Sequence, residues 1–500
     1  MNRFATRRAE IIGSFPRPPL PCTISSKVHR KDLARPMDPA PPGGRHHEQG
    51  GRQSAPVVSS HRKTYMKMFG VPRSLSTYSK APRPIRRQAP RWKFADILPA
   101  APIIALASAM LCIICLACGP LSSRVVYDPK PSAERIQPGQ TTLEAEVDEL
   151  ARPLIKSKEA TCLEIGVLFA DGSTRSYGYG RVSDSGLAEL PDGKTIFQVG
   201  SVSKLFTASA LEFLVQNGKI NYTDTVRDIL PRNVKLSADI GKITVYQLAT
   251  HTSGLPREPV TFKQFRFFVN YEFTGENLYG YMDKAWLLNY LRTCRIKNKS
   301  HKFIYSNLGY GLLAYLIEVK TGEPFQDLVT QDIFSPLHMK DTVFSLSPEQ
   351  DRRQAMGHVG DQPYFMRRNT PIKAWDMGEI MNPSGGIYST AADLLIYAKH
   401  TLAMENSPLN PILFRTTEPK VHQQDGETSA LGWTISEVGD DHARITYKHG
   451  MTSGYSTYIG MDMARNYAVV VLCNSFNWND KIGHNLLLYL SRTSSPLGDH

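Results

Sequence analysis

Cysteine is scarce in this chain, with seven among 500 residues, too few for a disulfide-stapled framework. Three of them (Cys112, Cys115, Cys118) share one apolar run, Cys22 lies near the start, and Cys162, Cys294 and Cys473 are spread downstream. Cys162 and Cys473 fall in apolar, strand-like runs and read as buried thiols. A His-Glu-x-x-His run is missing, as is any two-pair cysteine spacing of the zinc-binding kind, so no metal and no cofactor is expected. Acidic residues are nearly missing from the first 96 positions, which hold 5 Asp and Glu against 20 Lys and Arg. Residues 97–500 hold 41 against 39, so the formal charge of +13 belongs to the start of the chain. The remainder lacks the positive excess that a nucleic-acid-binding domain needs, and no nucleic acid is expected as a partner.

Residues 1–96 also lack any apolar periodicity longer than a turn or two. Pro, Arg, Ser and Gly crowd segments such as PRPPLP (16–21), PPGGR (41–45) and APRPIRRQAPR (81–91). Such a composition cannot bury enough apolar surface to offset its ordering entropy, so 1–96 reads as a disordered basic tail. His46-His47 falls within it and reads as solvent-facing.

The next stretch has the opposite character. Ile97 to Ala117 is 21 residues without a charge, ILPAAPIIALASAMLCIICLA. At ~1.5 Å per helical residue it matches the ~30 Å core of a bilayer, and 97–118 reads as a single membrane span. Six Lys and Arg lie in 77–96 and three in 118–137, which places the N-terminus in the cytosol and the larger C-terminal part on the other side. Two other readings stay open. An Arg-rich, acid-poor, Ser-containing start also fits a mitochondrial transit sequence. A start near Met66 or Met68 would make the apolar run an export signal, with Cys115-Leu116-Ala117-Cys118 as an imperfect lipoprotein site. Sequons at Asn221 (NYT) and Asn298 (NKS) permit a secretory location.

After a linker over 119–143, EAEVDELARPLIK (144–156) reads as an amphipathic helix. Strands are expected over 162–171 and 174–181 around the turn Asp171-Gly172. An almost wholly apolar helix is expected over 202–216, stopped by Asn217-Gly218. Helical, aromatic-rich patterns fill 246–379. Strand character returns at 431–438, 443–449, 455–463 and 467–475, and a closing helix is expected near 480–492. No internal repeat appears. Strands at both ends with helices between imply one α/β domain over 144–494, with its sheet part in 144–245 and 380–494 and a helical insertion at 246–379.

Three clusters in this domain could carry chemistry. In Ser201-Val202-Ser203-Lys204 the lysine lies one turn after the serine, at the positive end of a helix dipole, and can activate the hydroxyl without a histidine. An N-capping serine near a surface lysine would give the same spacing, but this helix is apolar nearly all round and a lysine in its first turn needs a polar cleft. In Tyr305-Ser306-Asn307 a phenol close to ammonium groups can serve as a base; the structural alternative is a tyrosine packed at a helix start with Asn as cap. Lys448-His449-Gly450 ends a strand, its lysine supplying positive charge and its glycine letting substrate approach the backbone. Lys320-Thr321-Gly322 competes with it, but directly follows a helix, where Lys in the last turn and a capping Gly are ordinary. It is set aside as a decoy.

Ordered this way, Ser-x-x-Lys, Tyr-x-Asn and Lys-x-Gly resemble the signature of serine β-lactamases and penicillin-binding proteins. The Tyr-x-Asn form is similar to the class C branch and its related esterases, D-aminopeptidases and the animal mitochondrial β-lactamase-like protein. VGSVSKLFTA (199–208), ITVYQLATHTSGLP (243–256), FIYSNLGYGLLAYLIE (303–318), FSPLHMKDTVF (334–344), PSGGIYSTAADL (383–394) and KHGMTSGYSTY (448–458) extend the resemblance. It implies an antiparallel sheet flanked by helices with an inserted helical subdomain. It also implies Ser201 as acylated nucleophile, Lys204 as its proton partner and Tyr305 as general base. Asn307 would orient substrate and Lys204, and Lys448 would anchor substrate and hold Tyr305 anionic. The N–H groups of Ser201 and Met451 would form the oxyanion hole. His449 and Gly450 would border the substrate. His449 departs from the usual Thr or Ser, and an imidazole there would narrow the cleft or add a titratable group. His251 and Thr252 read as structural.

The function expected is therefore a membrane-anchored serine hydrolase cleaving a small-molecule or peptide ester or amide through an acyl-enzyme. The rival is a scaffold or binding protein that kept the fold and lost the activity. Oligomeric state is not written in the sequence.

Overall fold

The computed structural model describes residues 141–184, 189–296, 301–424, 426–438, 443–477 and 480–493. The expected tail at 1–96, membrane span at 97–118 and most of the linker at 119–143 lie outside the described residues. Among the described residues, no helix is long and apolar enough to cross a membrane.

Helix α1 (Thr142–Lys156) starts two residues before the expected position. The cause is a capping box: Glu144 N donates to Thr141 Oγ1 at 3.2 Å, and Thr141 N donates to Glu144 Oε2 at 2.7 Å. The helix buries Leu143, Val147 and Ala151, four residues apart and so on one face.

The strands of the described residues are β1 (Cys162–Leu168), β2 (Thr174–Gly180), β3 (Phe197–Gln198), β4 (Tyr388–Ser389), β5 (Val421–His422), β6 (Thr428–Ser429), β7 (Thr434–Val438), β8 (Ala443–Thr452), β9 (Tyr455–Asp462) and β10 (Tyr467–Cys473). Eight form one antiparallel sheet in the order β2-β1-β10-β9-β8-β7-β6-β5, and β3 pairs with β4 apart from it. The first long strand and the last lie side by side, with Ile165 opposite Val471.

Both faces of the sheet are covered, which is why β1 and β10 read as unbroken apolar runs. Leu163, Ile165, Val167, Val469 and Val471 point to one face, where they pack with α1 and the closing helix α8 (Asp480–Thr493). Alternate residues, including Ala468, Val470 and Leu472, point to the other face and its larger core. That core is built by α2 (Ser203–Gln216), α3 (Phe262–Thr274), α4 (Lys284–Thr293), α5 (Asn307–Thr321), α6 (Gly378–Gly385) and α7 (Ala391–Thr401). Helix α2 is apolar nearly all round because it is enclosed: of its fourteen residues, Phe213, Val215 and Gln216 escape full burial. The free thiols Cys162, Cys294 and Cys473 are all buried.

Candidate active site

Ser201 does not begin α2. It sits in a single 3-10 turn, Gly200–Val202, and the α-helix starts at Ser203. The turn is wedged against β8. A Cβ added at Gly450 would lie 2.2 Å from Val199 O and 2.7 Å from Ser201 N, while one at Gly200 (φ +54°) would lie 2.5 Å from Met451 N. Gly450 is thus required by close approach of the nucleophile's own turn, a different reason from the substrate access expected of it. The same contacts bring the Ser201 and Met451 segments side by side.

Lys204 is fully buried. Its Nζ donates to Ser201 Oγ at 3.1 Å, to Asn307 Oδ1 at 2.7 Å and to the Ser384 carbonyl on α6 at 2.6 Å. Burial, joined by the charges of Lys448 and Arg257, holds this amine well below the usual lysine range. A neutral amine keeps two N–H groups and one lone pair. The Ser384 carbonyl can only accept, and Asn307 presents its oxygen to Lys204 because its Nδ2 donates to the Glu258 carboxylate on the other side. The ammonium thus donates to all three oxygens, and on losing a proton the amine keeps its two N–H groups on Ser384 and Asn307 and turns its lone pair to Ser201 Oγ.

Tyr305 immediately precedes α5. The cap of that helix is Ser306, whose Oγ accepts from Gly309 N at 2.9 Å and donates to Pro256 O at 2.7 Å. Asn307 is consequently not the cap, and its amide is available to the lysine. Three basic side chains surround the Tyr305 ring: Lys448 Nζ at 4.7 Å from its centre, Lys204 Nζ at 5.0 Å and Arg257 Cζ at 5.1 Å. His251 (φ +58°) packs at a tilt against the same ring, centroids 4.4 Å and planes 32° apart, and accepts at Nδ1 from Ser306 N at 3.1 Å. Burial first, then the neighbouring cations, hold His251 well below the normal imidazole range, so it packs as a neutral ring.

Lys448 reaches the site from β8 and is almost completely buried. Burial and Arg257 push it down to about 7, against an opposing pull from Glu427. His449 takes the other face of the strand, as alternation demands, and stacks along Tyr447 with centroids 6.1 Å apart. Burial and the nearby cations lower it to about 3, so the titratable group considered from the sequence stays uncharged near neutrality.

The structure therefore gathers Ser201, Lys204, Tyr305, Asn307 and Lys448, and turns His449 away from them. Lys320-Thr321-Gly322 is elsewhere: Lys320 pairs with Asp224 at 3.3 Å and Gly322 (φ +77°) caps α5. Sequence reasoning missed Arg257 and Glu258, which come directly after the family-like string ending at Pro256. It also missed the carbonyl of Ser384, a backbone atom with no sequence signal. Burial raises Glu258, opposed by Asn307, Arg257 and Lys204. Among the described residues, no group of three or more His, Cys, Asp or Glu is placed to hold a metal.

The Beta-lactamase family profile matches residues 147–491. The D-alanyl-D-alanine-carboxypeptidase/endopeptidase AmpH of Escherichia coli is 28% identical over 344 residues, covering 65% of this chain and 82% of its own. The crystal structure of a beta-lactamase/D-alanine carboxypeptidase from Pseudomonas syringae has the same fold, with a TM-score of 0.60 at 20% identity over 71% of this chain and 100% of that one. A class C beta lactamase from Rhodobacter sphaeroides aligns with a TM-score of 0.58 at 21% identity, over 69% and 99% of the two chains.

Proposed function

The chain belongs to the Beta-lactamase family, and we propose that it is a serine hydrolase cleaving an ester, amide or peptide through an acyl-enzyme on Ser201, tethered to a membrane by residues 97–118. The observation that carries the chemistry is the buried Lys204 amine 3.1 Å from Ser201 Oγ, its other two contacts taken by Asn307 and the Ser384 carbonyl, so that loss of one proton leaves its lone pair facing that hydroxyl.

In the first half-reaction Ser201 Oγ gives its proton to Lys204 as it bonds to the substrate carbonyl carbon. Negative charge gathers on the carbonyl oxygen, where the N–H groups of Ser201 and Met451 serve as donors. Collapse expels the leaving group, which takes a proton from the Lys204–Tyr305 pair. In the second half, water attacks the acyl-enzyme and Tyr305 takes its proton. The positive groups packed around the Tyr305 ring favour negative charge on its oxygen, and Lys448 doubles as an anchor for substrate. Asn307 holds Lys204 in register. The similarity to AmpH, whose name describes a carboxypeptidase and endopeptidase, makes peptides the substrates to try first. Support for the tether is the uncharged run Ile97 to Ala117.

The experiment is covalent labelling of the serine by a fluorophosphonate and acylation by a penicillin-type β-lactam. Labelling of the wild-type chain and its loss in Ser201→Ala is the expected result. Absence of labelling by any acyl donor would favour the lapsed scaffold.

A further inference from the structure

Among the described residues, large apolar side chains are exposed mainly in one place. Of the seven exposed large hydrophobic residues, five lie in two short segments: Val260, Phe262 and Phe273, and Tyr364 with Phe365. Phe262 is 69% exposed, Phe273 60%, Tyr364 76% and Phe365 55%. The two segments form one surface. The rings of Phe273 and Phe365 stack with centroids 4.4 Å apart and planes 9° apart. Tyr364 N donates to Glu272 Oε2 at 2.6 Å and Phe365 N to Glu272 O at 3.1 Å, which ties the second segment to the end of α3.

Along α3 the spacing is helical. Phe262, Arg266, Val269 and Phe273 recur at intervals of three or four, so they line one stripe, while Gln264, Tyr271 and Glu272 turn inward. A globular domain has no use for such an outward stripe, since the aromatic area gains nothing until it leaves water. Basic side chains flank it: Lys263, Arg266, Arg367 and Lys373 are all exposed. Of the carboxylates nearby, Asp361 is taken up by Arg368 at 2.5 Å and Glu276 accepts from Asn270 at 2.7 Å. Aromatic rings in a row with cationic flanks match the boundary between anionic headgroups and acyl chains.

We infer that the α3 stripe with Tyr364 and Phe365 is a membrane-contact surface, which lays the catalytic domain against a bilayer bearing anionic lipid. The proposed tether argues for this occupant. With a span ending at Ala117, the 24 residues from 118 to 141 hold the start of α1 within about 80 Å of the bilayer even at full extension. The surface also adjoins the cleft: Ile372 packs against Gly275 at the end of α3 and against Gly454, three residues after Met451. Contact there places the lipid surface beside the site.

The inference rests in part on the tether, so the test removes it. The whole chain of the Pseudomonas syringae structure aligns with the catalytic domain, which sets the bounds 142–493 for the fragment, and fluorophosphonate labelling of its Ser201 reports that it folds. This domain is floated with vesicles of phosphatidylcholine, with or without phosphatidylserine. Binding to the anionic vesicles is expected, and a fall of about tenfold or more in Phe262→Ser/Phe273→Ser/Phe365→Ser. Labelling of Ser201 by fluorophosphonate in that triple variant reports an intact fold. Absence of wild-type binding, or equal binding by the variant, overturns the inference. So does a wild-type dimer in gel filtration that the variant abolishes, because the surface would then be covered by a second copy. Carbonate extraction of the full chain tests the tether separately.

Discussion

Lys204 and Asn307, 103 residues apart in sequence, meet at 2.7 Å inside the domain, and the amide of Asn307 is oriented by Glu258 behind it. That relay makes Asn307 the residue that decides which way the lysine lone pair faces. Asn307→Asp would place a carboxylate against Lys204, stabilise its charged form and remove the base. A loss of roughly 10²-fold or more in kcat/KM is expected, with Ser201 still present but labelled slowly by fluorophosphonate. Wild-type acylation rates in this variant would show that Lys204 is not the proton acceptor.

The pH profile is set by two lysines with opposite duties. Lys204 acts when neutral and is held well below the usual range, so activity rises as pH climbs through its depressed value. Lys448 acts when charged, and its charge is lost as pH rises through about 7. A bell with a basic limb near 7 is expected in kcat/KM. Lys448→Arg should remove that limb, since guanidinium keeps its charge. Arg257 lowers both lysines, so Arg257→Gln raises both and moves the whole bell to higher pH. A profile unmoved by Arg257→Gln would place Arg257 outside the electrostatic set.

Two glycines separate the real strand triplet from its decoy. In Gly450→Ala the new methyl meets Val199 O, and overpacking of about 1–3 kcal/mol is expected together with loss of acylation. In Gly322→Ala nothing lies within 4 Å, and the cost is the left-handed conformation alone, about 1–2 kcal/mol, with acylation unchanged. Denaturant midpoints and labelling rates measured side by side read both. Loss of labelling in Gly322→Ala would reverse the assignment.

Topology is read at the sequons. Asn221 is exposed in the structure, so a domain on the non-cytosolic side of the secretory membrane should carry a glycan there. A band shift removed by endoglycosidase and by Asn221→Gln is expected. An unglycosylated chain with a cleaved tail in the mitochondrial fraction would replace that assignment.

Local chemistry is what the sequence by itself determined. Apolar strand-like runs, a helix with no polar face and the Asn217-Gly218 stop mark β1, β10 and α2, because each depends on neighbours a few residues away. The order Ser201-x-x-Lys204, Tyr305-x-Asn307, Lys448-x-Gly450 points to the chemistry for the same reason: each motif is local. What only the tertiary structure decided is whatever needs two distant segments at once. It made Ser201 part of a 3-10 turn, since β8 presses on that turn through Gly450. It brought Arg257, Glu258 and the Ser384 carbonyl to Lys204 and Tyr305, though none carries a sequence signal for that role. Burial, which sets the charge state of both lysines, is a property of the closed core and of no single segment.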